Sequence, residues 1–442
     1  MSTDASRLWS AVARRLGPHG RRAAILLSGA LVAQVVPIAA SPILTRLYSA
    51  AEYGLLAIFG SLTAIIVAVA SGRYHMAITL PQEDEEAVKI TTLAIAVAVG
   101  LCATLLLAAV VWYLCLPVPN AVAALGAWLI LVPVAALLGS IYDSLSYLSL
   151  RLDELRSIAR AGGGKAIAGA AVQIGLGFMG LGSAGILTGN LVSLLAGNMT
   201  LARRYLSMTD SRKTPWSELR RLAGQYRDFA KFDVWANLAN VVSANILVLG
   251  MTGLFGPTTV GHYALAFRLL TLPAMIVGST VGQVYLREIS LRVRNPVAAR
   301  RAFDKTLARL AAISLPPFIA LAFVAGDLFA FVFGAEWREA GSLAAAMIPL
   351  VWVRFLVSPL STTFLVYERQ RQLLLWQIGL LVATGTCFLG AALDGWSAVG
   401  FLRIFSWVLL PVYVLLLAHA RAIIGRGVDA REEPLNGPGG VK

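Results

Sequence analysis

Charge is what this chain has least of. Only 14% of its 442 residues are charged, whereas 58% are hydrophobic and the mean hydropathy is +0.75. An ordinary soluble domain is about 25% charged, so a soluble fold is the first class to go. Acids are scarcer still, 23 against 37 bases, which leaves a net charge of +14. The bases fall in short clusters between apolar runs, a pattern unlike a basic nucleic-acid face. The three cysteines, Cys102, Cys115 and Cys387, show neither CxxC spacing nor a disulfide framework, and read as packing residues. The four histidines, His19, His75, His262 and His419, are too scattered for a metal site. The glycine-rich run at 161–166 (AGGGKA) lacks the leading glycine and the closing hydroxyl of a phosphate loop, so no nucleotide-driven engine is read. No stretch between the apolar runs has the length of an added catalytic domain, which argues against a membrane-bound enzyme.

Long apolar runs are what the chain does have. A membrane-spanning helix needs about 20 apolar residues. Spans are read at 24–47, 52–71, 88–115, 121–149, 161–180, 183–202, 232–254, 258–285, 306–333, 341–366, 372–392 and 397–420, with tight turns at 117–120 and 255–258. The first run follows Arg21-Arg22 as a signal peptide would, but it continues to Leu47 and is read as a retained helix. Basic residues gather in alternate connections, around Arg22, Arg151, Arg204, Arg221, Arg300, Arg371 and Arg426, with Arg46 and Arg338 as exceptions. The positive-inside rule then places both termini in the cytoplasm. The expected fold is an all-α polytopic membrane protein of about 12 helices in two six-helix bundles. The expected organisation is a cytoplasmic amphipathic start (1–22), a first bundle (23–202), a basic linker helix (203–231), a second bundle (232–421) and a disordered cytoplasmic tail (422–442).

In the linker, Trp216, Leu219, Leu222, Tyr226 and Phe229 recur at helical spacing with bases between them, which predicts an interfacial helix on the inner leaflet. Glu83, Asp84, Glu85 and Glu86 open the third helix. They complement its dipole rather than hold a metal, because consecutive residues do not face one another on a helix. Tyr53-Gly54 after the first span and Gly261-His262-Tyr263 after the seventh form a short internal repeat, consistent with two halves of shared topology.

Polar residues inside the spans are the candidates for function. Arg268, in GHYALAFRLLTLP (261–273), lies about ten residues, roughly 15 Å, from its outer end. An arginine at that depth costs about 2.5–3.5 kcal/mol on insertion scales. Arg354 is similarly deep, Arg403 lies in the outer third of the last helix, and Arg73 closes the second helix on the inner side. Thr271, Ser279 and Gln283 share a face near Arg268, and Asp233, Asn237 and Asn240 follow 4,3 spacing on the seventh span. Acids within the spans are few: Asp143, Asp233 and Asp327, all towards helix ends. The excess of deep cations points to an anionic ligand, and arginine suits phosphate through bidentate geometry. The competing reading is that each arginine pairs with an acid or a carbonyl and fastens helices. Asp143 and Asp233 are the two places for a coupling sodium ion or proton, with pairing to a cytoplasmic-side arginine as their alternative.

An ordered set of short motifs carries a resemblance. The first half reads PILTRLY (42–48), EYG (52–54), GRY (72–74) and LP with the acids (80–86). The second reads YRDFAKF (226–232), FGP (255–257), VGHYAL (260–265), GQV (282–284) and FGAEWREAG (333–341). Over residues 20 to 425 this resembles bacterial polysaccharide biosynthesis proteins of the oligosaccharide flippase family, within the multidrug/oligosaccharidyl-lipid/polysaccharide exporter superfamily. Ala230 and Asp233 depart from the family's form, which has a proline and a small polar residue there. The resemblance implies two bundles around a central cavity that work by alternating access. It also implies an undecaprenyl-diphosphate-linked oligosaccharide as cargo, moved from the cytoplasmic to the periplasmic leaflet of the inner membrane for O-antigen, capsule or exopolysaccharide. Arg46, Arg73 and Arg268 fall within matching motifs and are implied partners of the diphosphate; Arg354 and Arg403 join them by depth. Asn237, Asn240, Thr271 and Gln283 are the cavity polar candidates. No cofactor, metal or nucleic acid is expected. A sodium or proton gradient or the membrane potential is left as the driving force, with membrane lipids and polysaccharide polymerase machinery as further partners. A cation-coupled multidrug exporter of the same superfamily is the alternative, disfavoured because such a cavity should be acidic; a polysaccharide polymerase or ligase is a further one, disfavoured because every outer connection is short.

Overall fold

The structure, a computed structural model, describes residues 18–115, 125–208 and 214–426. Most of the expected amphipathic start, the turn at 117–120, part of the linker and most of the expected tail lie outside them. Helices make up nearly all of the described chain, and no strand occurs among the described residues. They are α1 (Pro18–Leu47), α2 (Ala50–Ala70), α3 (Tyr74–Ala77), α4 (Asp84–Cys115), α5 (Leu131–Arg151), α6 (Leu155–Phe178), α7 (Gly182–Ser207) and α8 (Trp216–Gln225). There follow α9 (Val234–Ser290), α10 (Pro296–Phe333), α11 (Arg338–Leu360), α12 (Thr362–Val366), α13 (Gln370–Asp394) and α14 (Ala398–Arg426).

Ten stretches of the described residues are long and apolar enough to cross a membrane, close to the twelve read from sequence. Two places account for the difference. The stretch Phe229–Pro273 is 45 residues long, and its helix is interrupted at Gly256 (φ 79°, ψ 173°), the turn expected between two spans. The fifth expected span is α6, whose 24 residues include Arg156, Arg160 and Lys165. Prolines inside α1, α10, α11 and α14 are tolerated, as neighbouring helices re-satisfy freed backbone groups.

The chain divides into two compact units, residues 1–264 with 330–337, and residues 265–329 with 338–442. In the first unit, small residues bring helices close, since hydrophobic attraction between helices is absent in lipid. A side chain on Gly29 would collide with Ala159, and one on Gly169 with Ser193, so α1, α6 and α7 pack backbone to backbone. Tyr48 Oη donates to Gln173 O at 2.6 Å, and Gln173 Nε2 donates to Ile186 O at 3.1 Å. Helix α2 starts with a capping box: Ser49 N donates to Glu52 Oε2 at 2.8 Å, and Ser49 Oγ accepts from Glu52 N. Next to it the internal repeat meets itself. A Cβ on Gly54 would overlap Pro257 O, and one on Gly261 would overlap Ala50 O. Trp337, fully buried, closes this end. Its Nε1 donates to Thr45 O at 3.0 Å, with the rings of Tyr53 and His262 edge-on at 5.0 and 5.4 Å.

The linker differs from the expectation of a helix resting on the leaflet. Leu219 and Leu222 are buried in a cluster with Tyr74, Ala77, Ile78, Val88 and Ile90, while Trp216 stays 74% exposed. The hydrophobic stripe of α8 covers the α3–α4 corner because that corner presents apolar side chains of its own. Arg151 ties the acidic turn beside it, with Nε 3.2 Å from Asp84 Oδ1 and one Nη donating to Gln82 O at 2.8 Å.

In the second unit, Trp352 Nε1 donates to Ser314 Oγ at 3.0 Å, and Tyr285 and Thr363 share a buried hydroxyl bond at 2.8 Å. Arg421 grips Asp304 with two bonds of 2.7 and 2.9 Å. Arg338, one of the exceptions to the charge pattern, pairs with Asp327 at 2.6 Å.

Candidate functional site

A polar cavity of about 460 Å³ opens within the first unit. Five helices and one corner contribute to it, α2 with Gly60, Thr63, Ala64, Val67 and Ala68. The corner follows α2, where Gly72 (φ 57°) and Arg73 (φ 61°) both adopt left-handed backbone conformations. That geometry is unfavourable for arginine, and such strain persists where the surroundings impose it, often at functional sites. It ends α2 and sets Arg73 and His75 on the cavity wall. Helix α5 supplies Tyr142 and Asp143, α6 supplies Lys165, α7 supplies Asn190, and α9 supplies Asn237. Gly197 on α7 leaves the room that the Tyr142 ring occupies.

Arg73 makes the strongest contact here. Its Nε donates to Asp233 Oδ2 at 2.6 Å, with Arg73 17% and Asp233 41% exposed. Asp233 is delivered by a short π-helical turn, Phe229–Asp233, between α8 and α9; such turns recur at functional sites. Lys165 Nζ lies 4.7 Å from the centre of the Tyr142 ring, within cation–π range. Asp143 sits in the field of Lys165 first and Arg73 second. Asn237 Nδ2 donates to Ala68 O at 3.3 Å, tying α9 to the end of α2. His75 is buried, with its Nδ1 2.6 Å from Ser71 Oγ. Burial, and then the Arg73 charge, hold its pKa down to about 4, so it is neutral at physiological pH.

Of the residues singled out from sequence, the structure brings together Arg73, Asp143, Asp233 and Asn237. Arg46 is exposed, and its Nη1 donates to Pro42 O on its own helix at 2.6 Å. Asn240 is exposed one turn beyond Asn237. In the second unit, Arg268 is exposed but already engaged by a neighbouring group. Thr271 Oγ1 turns back to Phe267 O at 2.7 Å. Gln283 and Arg403 are exposed, and Arg354 lies 5.9 Å from the Tyr413 ring centre. The side chain of Ser279 is outside the described set. Sequence reasoning missed Lys165, His75, Tyr142 and Asn190. The signal for Lys165 was present, a lysine inside an apolar run, but weighing the run as a phosphate loop drew attention away from it. Among the described residues, no group of three or more metal-ligating side chains occurs.

The arrangement can hold an anion, since two cations of different reach line one water-accessible space. It can also neutralise those cations internally when no anion is present.

Known proteins share parts of this picture. The chain is 26% identical over 208 residues to the teichuronic acid biosynthesis protein TuaB of Bacillus subtilis (strain 168), covering 47% of this chain and 41% of that protein. It thus spans less than half the length of that relative. Solved structures with the same fold include an inward-facing multidrug resistance MATE family transporter of the MOP superfamily (TM-score 0.66, 13% identity, 91% of this chain and 98% of that one). Another is the lipid II flippase MurJ in an inward closed conformation (TM-score 0.61, 13% identity, 88% and 87% covered). A third is a MOP superfamily transporter from Pyrococcus furiosus described as having a binding pocket of reversed polarity (TM-score 0.53, 13% identity, 92% and 95% covered). At such identities the likeness establishes the fold. The profile of one family matches residues 43–342, which include every helix lining the cavity and both halves of the internal repeat. This multi-pass membrane chain therefore belongs to the polysaccharide biosynthesis protein family.

Proposed function

We propose that this protein is a flippase that moves polyprenyl-diphosphate-linked oligosaccharide from the cytoplasmic to the periplasmic leaflet of the bacterial inner membrane, with both termini in the cytoplasm. The observation that carries the proposal is the polar cavity within the first unit whose wall carries both Arg73 and Lys165. A sugar chain on a diphosphate cannot cross hydrocarbon unaided, because burying unpaired polar and charged groups is prohibitive. A wet cavity with two cations lowers that cost for the headgroup, while the polyprenyl tail stays in lipid. Arginine offers a planar fork and lysine a mobile point charge, a combination that suits a diphosphate of variable pose. Membership of the polysaccharide biosynthesis family supports the substrate class. Opening to alternate sides would move the headgroup without an open pore. Arg268 and Arg354 are proposed as further contacts along the route, with Arg46 and Arg403 behind them. The function needs no catalytic residue.

The test is surface polysaccharide made by cells in which Arg73→Ala, Lys165→Ala or Lys165→Arg replaces the wild type, with membrane abundance quantified in parallel. The expected outcome is a loss of polymer of tenfold or more in both alanine variants at normal abundance. Lipid-linked repeat units should accumulate inside, and Lys165→Arg should retain part of the activity. Normal polymer in both alanine variants would overturn the assignment.

A further inference from the structure

With its leucine stripe docked on the α3–α4 corner, α8 still presents a second side outward. Trp216 is 74% exposed, and Arg220, also exposed, stands one turn beyond it. The turn that follows adds Arg227, Lys231 and Phe232, and the start of α9 adds Trp235; Phe232 is 60% and Trp235 66% exposed. Lys231 Nζ lies 5.0 Å from the centre of the Phe232 ring, so a cation and an aromatic face are held together at the surface. The nearby carboxylates leave these bases uncompensated. Glu218 is engaged by Arg221 at 2.8 and 2.9 Å, and Asp233 by Arg73. Arg220, Arg227 and Lys231 form no ion pair among the described residues, and Asp228 is the exposed acid of the stretch 214–235.

The depth of this surface identifies what covers it. The membrane-crossing stretch Phe229–Pro273 begins in the π-helical turn, so Lys231, Phe232 and Trp235 occupy its first two turns. Helix α8 packs on Val88 and Ile90, which lie in the first two turns of another such stretch, Asp84–Cys115. Both anchors put the surface where hydrocarbon gives way to headgroups. Tryptophan concentrates at that level, and bases there meet lipid phosphates. A soluble acidic protein or a nucleic acid would have to push into the headgroups to reach Phe232 and Trp235.

We infer that the outward side of α8 and the turn into α9 bind an anionic glycerophospholipid of the adjacent leaflet. Arg220, Arg227 and Lys231 meet the headgroup phosphates, while Trp216, Phe232 and Trp235 rest on the glycerol and the upper acyl chains. A zwitterionic lipid is the poorer ligand, because its own cation meets the three bases. The site also bears on the cavity. Lys231 and Asp233 belong to one π-helical turn, so a lipid that holds Lys231 steadies the carboxylate that meets Arg73. The lipid site is independent of the cargo assigned above.

The experiment places a bimane fluorophore on Ser217→Cys, an exposed position beside Trp216, in the full-length chain with Cys115→Ser. The labelled protein is reconstituted in phosphatidylcholine vesicles doped with phosphatidylglycerol or phosphatidylcholine that carries a nitroxide quencher near the headgroup. The expected result is half-quenching at a mole fraction about tenfold lower for phosphatidylglycerol, with the two lipids converging at high salt. Arg220→Gln/Arg227→Gln/Lys231→Gln should bring them to within about twofold. A control that removes three exposed bases elsewhere, Arg300→Gln/Arg301→Gln/Arg309→Gln, should keep the preference. Equal quenching by the two lipids in the labelled parent chain overturns the site, and that comparison decides the matter even if a variant fails to fold. Loss of the preference in the control as well shows a diffuse field of charge and also overturns it. Relief of quenching by soluble glycerol 3-phosphate would mean a free phosphate ligand rather than a bilayer lipid, and would overturn it too.

Discussion

Arg73 is held by contacts that a bare surface arginine would lack. Its backbone is left-handed, its side chain is mostly covered, and its guanidinium meets a carboxylate that arrives from 160 positions later in the chain. Removing Asp233 would leave a partly buried charge uncompensated, which is more damaging than never having had the pair. His75, one residue beyond Tyr74, reports the same environment. Its imidazole is neutral because burial and the Arg73 charge oppose protonation, with a pKa of about 4 against 6.5 for the free group. The unfolded chain binds the extra proton first, so stability is complete above about pH 6.5 and is lost as pH falls towards 4, by up to roughly 3 kcal/mol. Thermal unfolding in detergent at pH 7 and at pH 4.5 should show a drop that His75→Gln largely removes. An unchanged pH profile in that variant would show that His75 does not set it.

At the scale of elements, two devices shape the first unit. One is the absence of side chains where helices cross: Gly54 and Gly261 allow α2 and the second half of the α9 region to touch through backbone. The other is α8. Its Leu219 and Leu222 are committed to the α3–α4 corner, and Tyr74 Oη donates to Ala223 O at 3.3 Å. Since α8 leads directly through the π-helical turn into Asp233, its seat helps to place the partner of Arg73. Leu222→Asp buries a charge with no partner in that seat and should release α8. The expected result is faster tryptic cleavage at Arg220 and Arg221, together with reduced export. Leu222→Met, which conserves volume, should do neither. Unaltered proteolysis in Leu222→Asp would show that the helix is not docked there in the membrane.

At the scale of the molecule, the proposed orientation rests on where the bases lie. The positive-inside rule predicts that clusters such as Arg203, Arg204, Arg220 and Arg221 stay on the side where synthesis occurs, because moving them across the bilayer is costly. The prediction is that Trp216→Cys, in a Cys115→Ser background, is labelled by a membrane-impermeant maleimide only after the cells are opened. Glu336→Cys should be labelled in intact spheroplasts. Both positions are exposed, and Cys115 is the exposed native thiol among the described residues. Labelling of both from the same side would refute the topology.

Much of this protein was legible without coordinates. Hydropathy and the alternation of bases yielded a many-helix membrane fold, since about 20 apolar residues in a row have few other uses. The repeated Gly-bearing starts of the second and eighth spans pointed to related halves. The 4,3 spacing of Asp233, Asn237 and Asn240 marked a polar stripe, of which Asp233 meets Arg73 and Asn237 meets Ala68 O, while Asn240 is exposed. What sequence could not supply was the company each residue keeps. Arg268 stood out by depth, yet Arg73 is the candidate that meets Asp143, Asp233 and Asn237. Lys165 was passed over because its glycine-rich run was weighed as a phosphate loop, and its place shows only when Tyr142 and Asp143 are set beside it. Asp233 departed from the family's form, and its reason appears only in its distance to Arg73. Periodicity and hydropathy are properties of neighbours along the chain and survive in one dimension. Charge pairing and cavities depend on separations of a few ångströms between residues tens to hundreds of positions apart, and only the packed helices decide those.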